Sequence, residues 1–259
     1  METGKGFVTF LTMEMITGSE LVLFLVIVFL GAFLQSVIGF GGNFFSVGIL
    51  ALWLPARDVI VILAAVFALN NLMMVWLNRS RIQLNTIRPV IFLVLAGGTA
   101  GSVILPQLQP TVIYITLGIT IIGLNLLQFR RDSSTGDTLH PAANTGLLLG
   151  GGIIQGAIGT GGPLIVTVLA QQIRSPRAFR GTANVLFFLL NAGRSALYIQ
   201  QDLMSPSMEI PMLAGMGSLV IATLVGHRIS LRIPETVLRK SIAGFLIIIG
   251  IAMVGKTLL

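Results

Sequence analysis

Gln35-Ser36-Val37-Ile38-Gly39-Phe40-Gly41-Gly42 returns as Gln155-Gly156-Ala157-Ile158-Gly159-Thr160-Gly161-Gly162, at an offset of 120 residues. The glutamine, the isoleucine and three glycines are the same in both copies, and each copy lies inside a long apolar segment. Each glycine disfavours helix by about 1 kcal/mol relative to alanine, so a continuous hydrophobic helix is expected to break at both places. Paired breaks at matching positions in two halves are the sequence mark of a transporter whose substrate site lies near the membrane midplane.

The segments 21–34, 59–77, 91–105 and 111–127 carry no ionisable side chain except Tyr114, and several approach the roughly 20 residues a bilayer needs. With 54% hydrophobic and only 10% charged residues, the chain reads as an all-α polytopic membrane protein. The formal charge of +7 does not point to nucleic acid, because the basic residues sit in loops beside hydrophobic spans. There is no cysteine, which removes disulfides, thiolate metal sites and cysteine nucleophiles. No Asp, Glu or His lies in the middle of a span, so neither a catalytic centre nor a metal or cofactor site is expected. The expected partners are a small anion and membrane lipid; nothing in the apolar faces singles out an oligomer surface.

Residues 1–19 lack the pattern of a cleaved signal and read as a short polar lead. The apolar run 20–54 is too long for one untilted span and too short for two. Two arms of about 15 residues would each reach roughly 22 Å against a hydrocarbon core of about 30 Å, so a hairpin turning at Gly39 to Gly42 is expected. Spans at about 59–77, 89–105 and 111–128 complete a first repeat, 20–128. A polar linker, 129–141, leads to a second repeat, 142–259, with a hairpin at 142–172 and spans at 182–200, 211–226 and 236–254.

Hairpins that enter and leave on one side put Arg79, Arg81, Arg88, Arg130, Arg131, Arg174, Arg177, Arg180, Arg228, Arg232, Arg239 and Lys240 on one face. That is twelve of the 16 basic residues, and such a face is expected to be cytoplasmic. One hairpin plus three crossings is an odd number of traversals. The second repeat is then inverted relative to the first, and both termini are extracytoplasmic.

Non-helical backbone at membrane depth needs protein, water or a ligand to satisfy its amides. Glycine turns let N–H groups converge, and the helix that follows each turn directs its positive end at the same point, which suits an anion. Polar side chains available nearby are Gln35, Asn43, Gln155 and Thr160 on the hairpins and Asn71 and Asn191 on the following spans. The alternative is packing, since glycine also lets membrane helices approach closely. Arg194, the one charged side chain well inside an expected span, either partners the anion or snorkels to the nearer interface. Arg57 and Arg177 match across the repeat and read as loop anchors.

The paired turns Gly39-Phe40-Gly41-Gly42 and Gly159-Thr160-Gly161-Gly162-Pro163, the two-fold repeat and the length resemble the TauE/SafE family of permeases, the sulfite exporter family also called TSUP. The likeness covers the chain from residue 20 onward. It implies a bacterial inner-membrane (cytoplasmic-membrane) permease for small sulfur-containing anions such as sulfite or organosulfonates, in a family with both exporters and importers. By position it implies Gly39, Gly41, Gly42, Gly159, Gly161, Gly162 and Pro163 as the substrate-site region; Arg194 is a candidate from its place in a span alone. Export of sulfite or a sulfonate is the leading expectation. The alternatives are uptake, a passive anion channel, or a scaffold whose glycines only pack helices.

Overall fold

The computed structural model describes residues 18–131, 140–173 and 175–230, and among these the chain is helical with no strand. The helices are α1 (Gly18–Ile38), α2 (Gly42–Leu50), α3 (Ala56–Leu77), α4 (Leu84–Ile104), α5 (Pro110–Arg131), α6 (Pro141–Ile158), α7 (Gly162–Gln172), α8 (Pro176–Gln200) and α9 (Glu209–Ile229). Four stretches, Gly18–Ile38, Ala56–Leu77, Leu84–Gln107 and Pro206–Ile229, are long and apolar enough to cross a membrane. Phe92 is 78% exposed, and Trp76 and Ile210 are also exposed, as lipid-facing side chains are. The chain is a multi-pass membrane protein.

The helices break at both glycine turns, but the hairpin arms are unequal where the sequence suggests equal ones. α1 has 21 residues and α2 only 9, while α6 has 18 and α7 has 11. The first hairpin is thus a full-length helix, about 31 Å long, with a short return arm of about 13 Å. The expected spans 59–77, 89–105 and 111–128 fall on α3, α4 and α5, and 211–226 falls on α9. The span expected at 236–254 and nearly all of the lead 1–19 lie outside the described residues, as does the centre of the linker.

One boundary differs in a way that matters. The span expected to begin at 182 begins at Pro176, capped by Ser175, whose side chain accepts from the Ala178 amide. Serine at N-cap followed by proline at the first helical position is a strong helix start. Arg177 and Arg180 therefore belong to the helix rather than to a loop, and Arg180 is buried. His227, one residue past the expected span 211–226, likewise lies in the last turn of α9.

Three long seams hold the fold together. Along α4 and α6 the contact is backbone on backbone: a Cβ on Gly101 would lie 2.1 Å from the Ile153 carbonyl oxygen, and one on Gly156 would lie 2.1 Å from that of Gly98. Ser102 Oγ adds a hydrogen bond to the Gly156 carbonyl at 3.4 Å. α1 and α9 run parallel in the same way, with Gly215 against Phe24, Gly226 against Phe33 and Ser36, and Ser218 Oγ donating to the Leu25 carbonyl at 3.0 Å. α3 and α8 pack antiparallel. The end of α3 meets the start of α8, where the Gln83 amide donates to Thr182 Oγ1 at 2.9 Å, and Val61 shares a cavity with Met204 beyond the other end of α8.

Arg57, in the first turn of α3, donates to the carbonyls of Pro106 at 3.3 Å and Leu108 at 2.7 Å and so closes the turn between α4 and α5. Arg57→Ala is expected to lower unfolding stability by about 1–3 kcal/mol, as loss of charged hydrogen bonds does. Chemical denaturation in detergent reads this directly, with solute flux expected to stay at the wild-type level.

Candidate functional site

The two turns meet. Asn43, at the start of α2, donates its Nδ2 to the Gly159 carbonyl at 3.1 Å, joining the first hairpin to the tip of the second. Around this junction lies a cavity of about 20 Å³, room for about one water molecule. Two pairs of its wall residues are equivalent across the halves. Gln35 and Asn71 face it from the first, Gln155 and Asn191 from the second, with Gly41 and Asn43 of one turn and Gly159 and Gly162 of the other. Phe44 and Phe187, which the glycine motifs do not point to, complete the lining.

The polar groups are wired in parallel. Gln35 Nε2 donates to Asn71 Oδ1, and Gln155 Nε2 donates to Asn191 Oδ1 at 3.5 Å; both pairs are 36 residues apart in the chain. Each glutamine thus locks the hairpin of its own half to the helix that follows. Beyond that pair the halves differ. Gln155 Oε1 accepts from the Gly162 amide at 3.0 Å, so one of the amides offered by the second turn is already satisfied internally. The N-terminus of α2 at Gly41 has no side-chain cap. Gln35 is also gripped by Asn184, which accepts from it at 3.1 Å and donates to the Gly39 carbonyl at 2.7 Å. Among the described residues, Asn71 Nδ2 and Asn43 Oδ1 have no hydrogen-bond partner although buried. A buried unsatisfied group costs about 1–3 kcal/mol, which an incoming ligand or water recovers.

The glycines divide by job. Gly39, Gly41 and Gly159 have φ of 104°, 92° and 77°, a region that side chains disfavour, so these three make the turns. Gly42 and Gly161 are packing glycines instead: a Cβ would lie 2.2 Å from the Gly31 carbonyl oxygen and 1.9 Å from the Gly151 carbonyl oxygen respectively. Gly31 and Gly151 are themselves related by the 120-residue offset, so each hairpin folds back on the equivalent point of its long arm. Pro163 occupies the first turn of α7, where its fixed φ favours helix. Thr160 is fully buried, its hydroxyl unpartnered among the described residues, and it does not line the cavity.

Arg194 points inward. It is 1% exposed and does not snorkel. Its Nη1 donates to Asn191 Oδ1 at 3.1 Å, and its Nε and Nη2 both lie 3.3 Å from the Tyr198 hydroxyl, which itself donates to the Gly156 carbonyl at 2.8 Å. A Cβ on Gly159 would lie 3.3 Å from both terminal guanidinium nitrogens. Its hydrogen-bond partners among the described residues are neutral, so a buried positive charge stands beside the second turn. Arg180, Asn184, Phe187, Asn191, Arg194 and Tyr198 succeed one another at spacings of four and three, which places them on one face of α8. That stripe, readable as a polar seam in the sequence, carries the residues the glycine motifs alone did not suggest: Asn184, Arg180 and Tyr198.

Such a junction offers fixed donors with no carboxylate lining it among the described residues, a chemistry that suits an oxyanion. The family model described as Sulfite exporter TauE/SafE matches residues 23–253. No curated protein and no solved structure matches the chain.

Proposed function

Because the chain belongs to the TauE/SafE sulfite exporter family, we propose that it is a secondary transporter carrying a small sulfur-containing anion, sulfite or an organosulfonate, outward across the bacterial inner membrane. The substrate passes through the cavity between the two glycine turns. The observation that carries this is the convergence of equivalent amides, Gln35 and Asn71 with Gln155 and Asn191, on one cavity beside a buried arginine. Gly39 shapes the first turn, and Gly42, Thr160, Gly161 and Pro163 support the two turns from behind the cavity.

The two halves act as inverted repeats. In support, α3 and α8 are equivalent across the 120-residue offset and run antiparallel, and the α1–α9 seam has the parallel geometry of the α6–α4 seam. The face bearing Arg79, Arg81, Arg177, Arg180 and Arg228 is cytoplasmic, and both termini are extracytoplasmic. At about 20 Å³ the cavity is smaller than any oxyanion with its oxygens, so passage requires one short arm, α2 or α7, to move away from its turn. That closure favours a carrier over an open channel.

Flux into proteoliposomes of sulfite, sulfate, taurine or sulfoacetate, with and without a proton gradient, tests the assignment. Gln155→Ala is expected to lower flux of the transported anion about tenfold, roughly the worth of one net hydrogen bond. Folded protein that moves none of these anions would refute the sulfur-anion assignment. A folded variant with unchanged flux would remove Gln155 from the site.

A further inference from the structure

The two arginines on the inner face of α8 stand at opposite ends of the cavity. Arg194 lies beside Gly159, and Phe187 and Asn191 line the cavity. Arg180, 14 residues earlier and so about 21 Å away along the helix, packs on the tip of the first turn. A Cβ on Gly39 would lie 2.6 Å from Arg180 Cγ, and one turn further along α8 Asn184 holds the Gly39 carbonyl and Gln35. Along α8, Asn184 and its contact with Gln35 therefore stand between Arg180 and the cavity wall.

Two more basic groups gather at this end. The His227 imidazole lies within electrostatic range of both Arg180 and Arg177. α9 brings it there because Gly226 packs on Ser36 and Phe33, next to the turn. Arg177 is exposed and makes no hydrogen bond among the described residues, whereas its counterpart Arg57 is occupied by two carbonyls. The equivalent of Arg180 in the first half is Ile60. Among the described residues, this concentration of charge has no counterpart at the equivalent place in the first half.

We infer that Arg180 and Arg177 form a second anion station at the tip of the first turn, where an anion from the cytoplasmic side is held before it enters the central cavity. The station rests on the anion-transport function proposed for that cavity, but its charge can be measured without transport. It raises the local concentration of anions at that mouth.

The chain has no cysteine, so one introduced thiol reports a single position. His227→Cys is suited to this, since His227 Nδ1 has no hydrogen-bond partner among the described residues. The full chain in proteoliposomes is treated with an anionic and a cationic methanethiosulfonate reagent, each rate divided by that for a free thiol. The anionic reagent is expected to react about tenfold faster, as electrostatic focusing in a charged cleft produces, and added sulfate should slow it. Arg180→Gln is expected to bring the two rates together, and Arg180→Lys to keep them apart. Arg177→Gln, at an exposed position, is expected to narrow the difference roughly threefold and covers the case in which Arg180→Gln does not fold. Equal rates in the parent, no effect of either glutamine variant, or a thiol that neither reagent reaches would each overturn the station. Charge preference without sulfite flux would leave the station standing and remove the sulfur anion; flux without preference would do the reverse.

Discussion

Arg194→Gln is expected to fold at least as well as the wild type and to lose about a hundredfold in anion flux, the loss that follows when one member of a buried charged contact is removed. The two outcomes separate because a buried cation without a carboxylate is a cost to the folded protein. Its hydrogen bonds to Asn191 and Tyr198 offset only part of the desolvation, which amounts to several kcal/mol per ion. An anion held in the cavity, as the proposed function requires, would supply the missing charge. Tyr198 keeps its bond to the Gly156 carbonyl when the guanidinium is gone, so the helix contact survives. Thermal unfolding in detergent with and without added sulfite, alongside flux, reads both effects. Wild type should be stabilised by the anion and the variant should not. An Arg194→Gln protein that unfolds far more easily while retaining flux would make the arginine a structural residue.

Gly156→Leu is expected to yield no monodisperse protein. The Cβ alone would sit 2.1 Å from the Gly98 carbonyl oxygen and 2.9 Å from Gly98 Cα, so relief requires α4 and α6 to separate rather than a side chain to rotate. Separation also breaks the bond that the Gly156 carbonyl accepts from Ser102. Overpacking costs typically 1–3 kcal/mol when side chains can adjust, and a backbone clash exceeds that against a total stability of about 5–15 kcal/mol. Gly150→Ala, on the same helix with nothing within 4 Å of its Cβ, is the matched control and should elute and unfold like the wild type. Size-exclusion chromatography of the two variants decides whether the seam is as tight as its geometry indicates.

The break in each long apolar segment was legible because it is a local property: three glycines in four positions defeat a helix wherever they stand. The job of each glycine was not. Gly41 and Gly161 are equivalent in sequence, yet Gly41 has positive φ and open space around it while Gly161, at φ −73°, is pressed on the Gly151 carbonyl. That difference arises from how each long arm returns to its turn, which no single stretch encodes. Gln35, Asn71, Gln155 and Asn191 were each legible as polar residues near the turns, but that each glutamine bonds the asparagine of its own half is a tertiary contact that the structure alone gives. Arg180 was misplaced because the apolar run begins at 182, whereas the helix is started by Ser175 and Pro176, a signal that hydrophobicity does not carry. The inward turn of Arg194 depends on Tyr198, one helical turn away and held by the Gly156 carbonyl, and on the small Gly159 that makes room for the guanidinium.

The α1–α9 seam sets a schedule for synthesis. α4 and α6 are separated by a single helix and a linker, and their glycine faces can close soon after α6 enters the membrane. α1 waits far longer, because its partner begins at Glu209 while it ends at Ile38. At about 5–20 residues per second the ribosome needs on the order of ten to thirty seconds to deliver α9. Through that interval the face of α1 that will receive Gly215 and Gly226 lies open to lipid or to the insertion machinery, with Ser36 at its lower edge. The last described helix therefore completes the first, and a chain released before α9 is made would leave the nascent protein with its first glycine turn unsupported on one side.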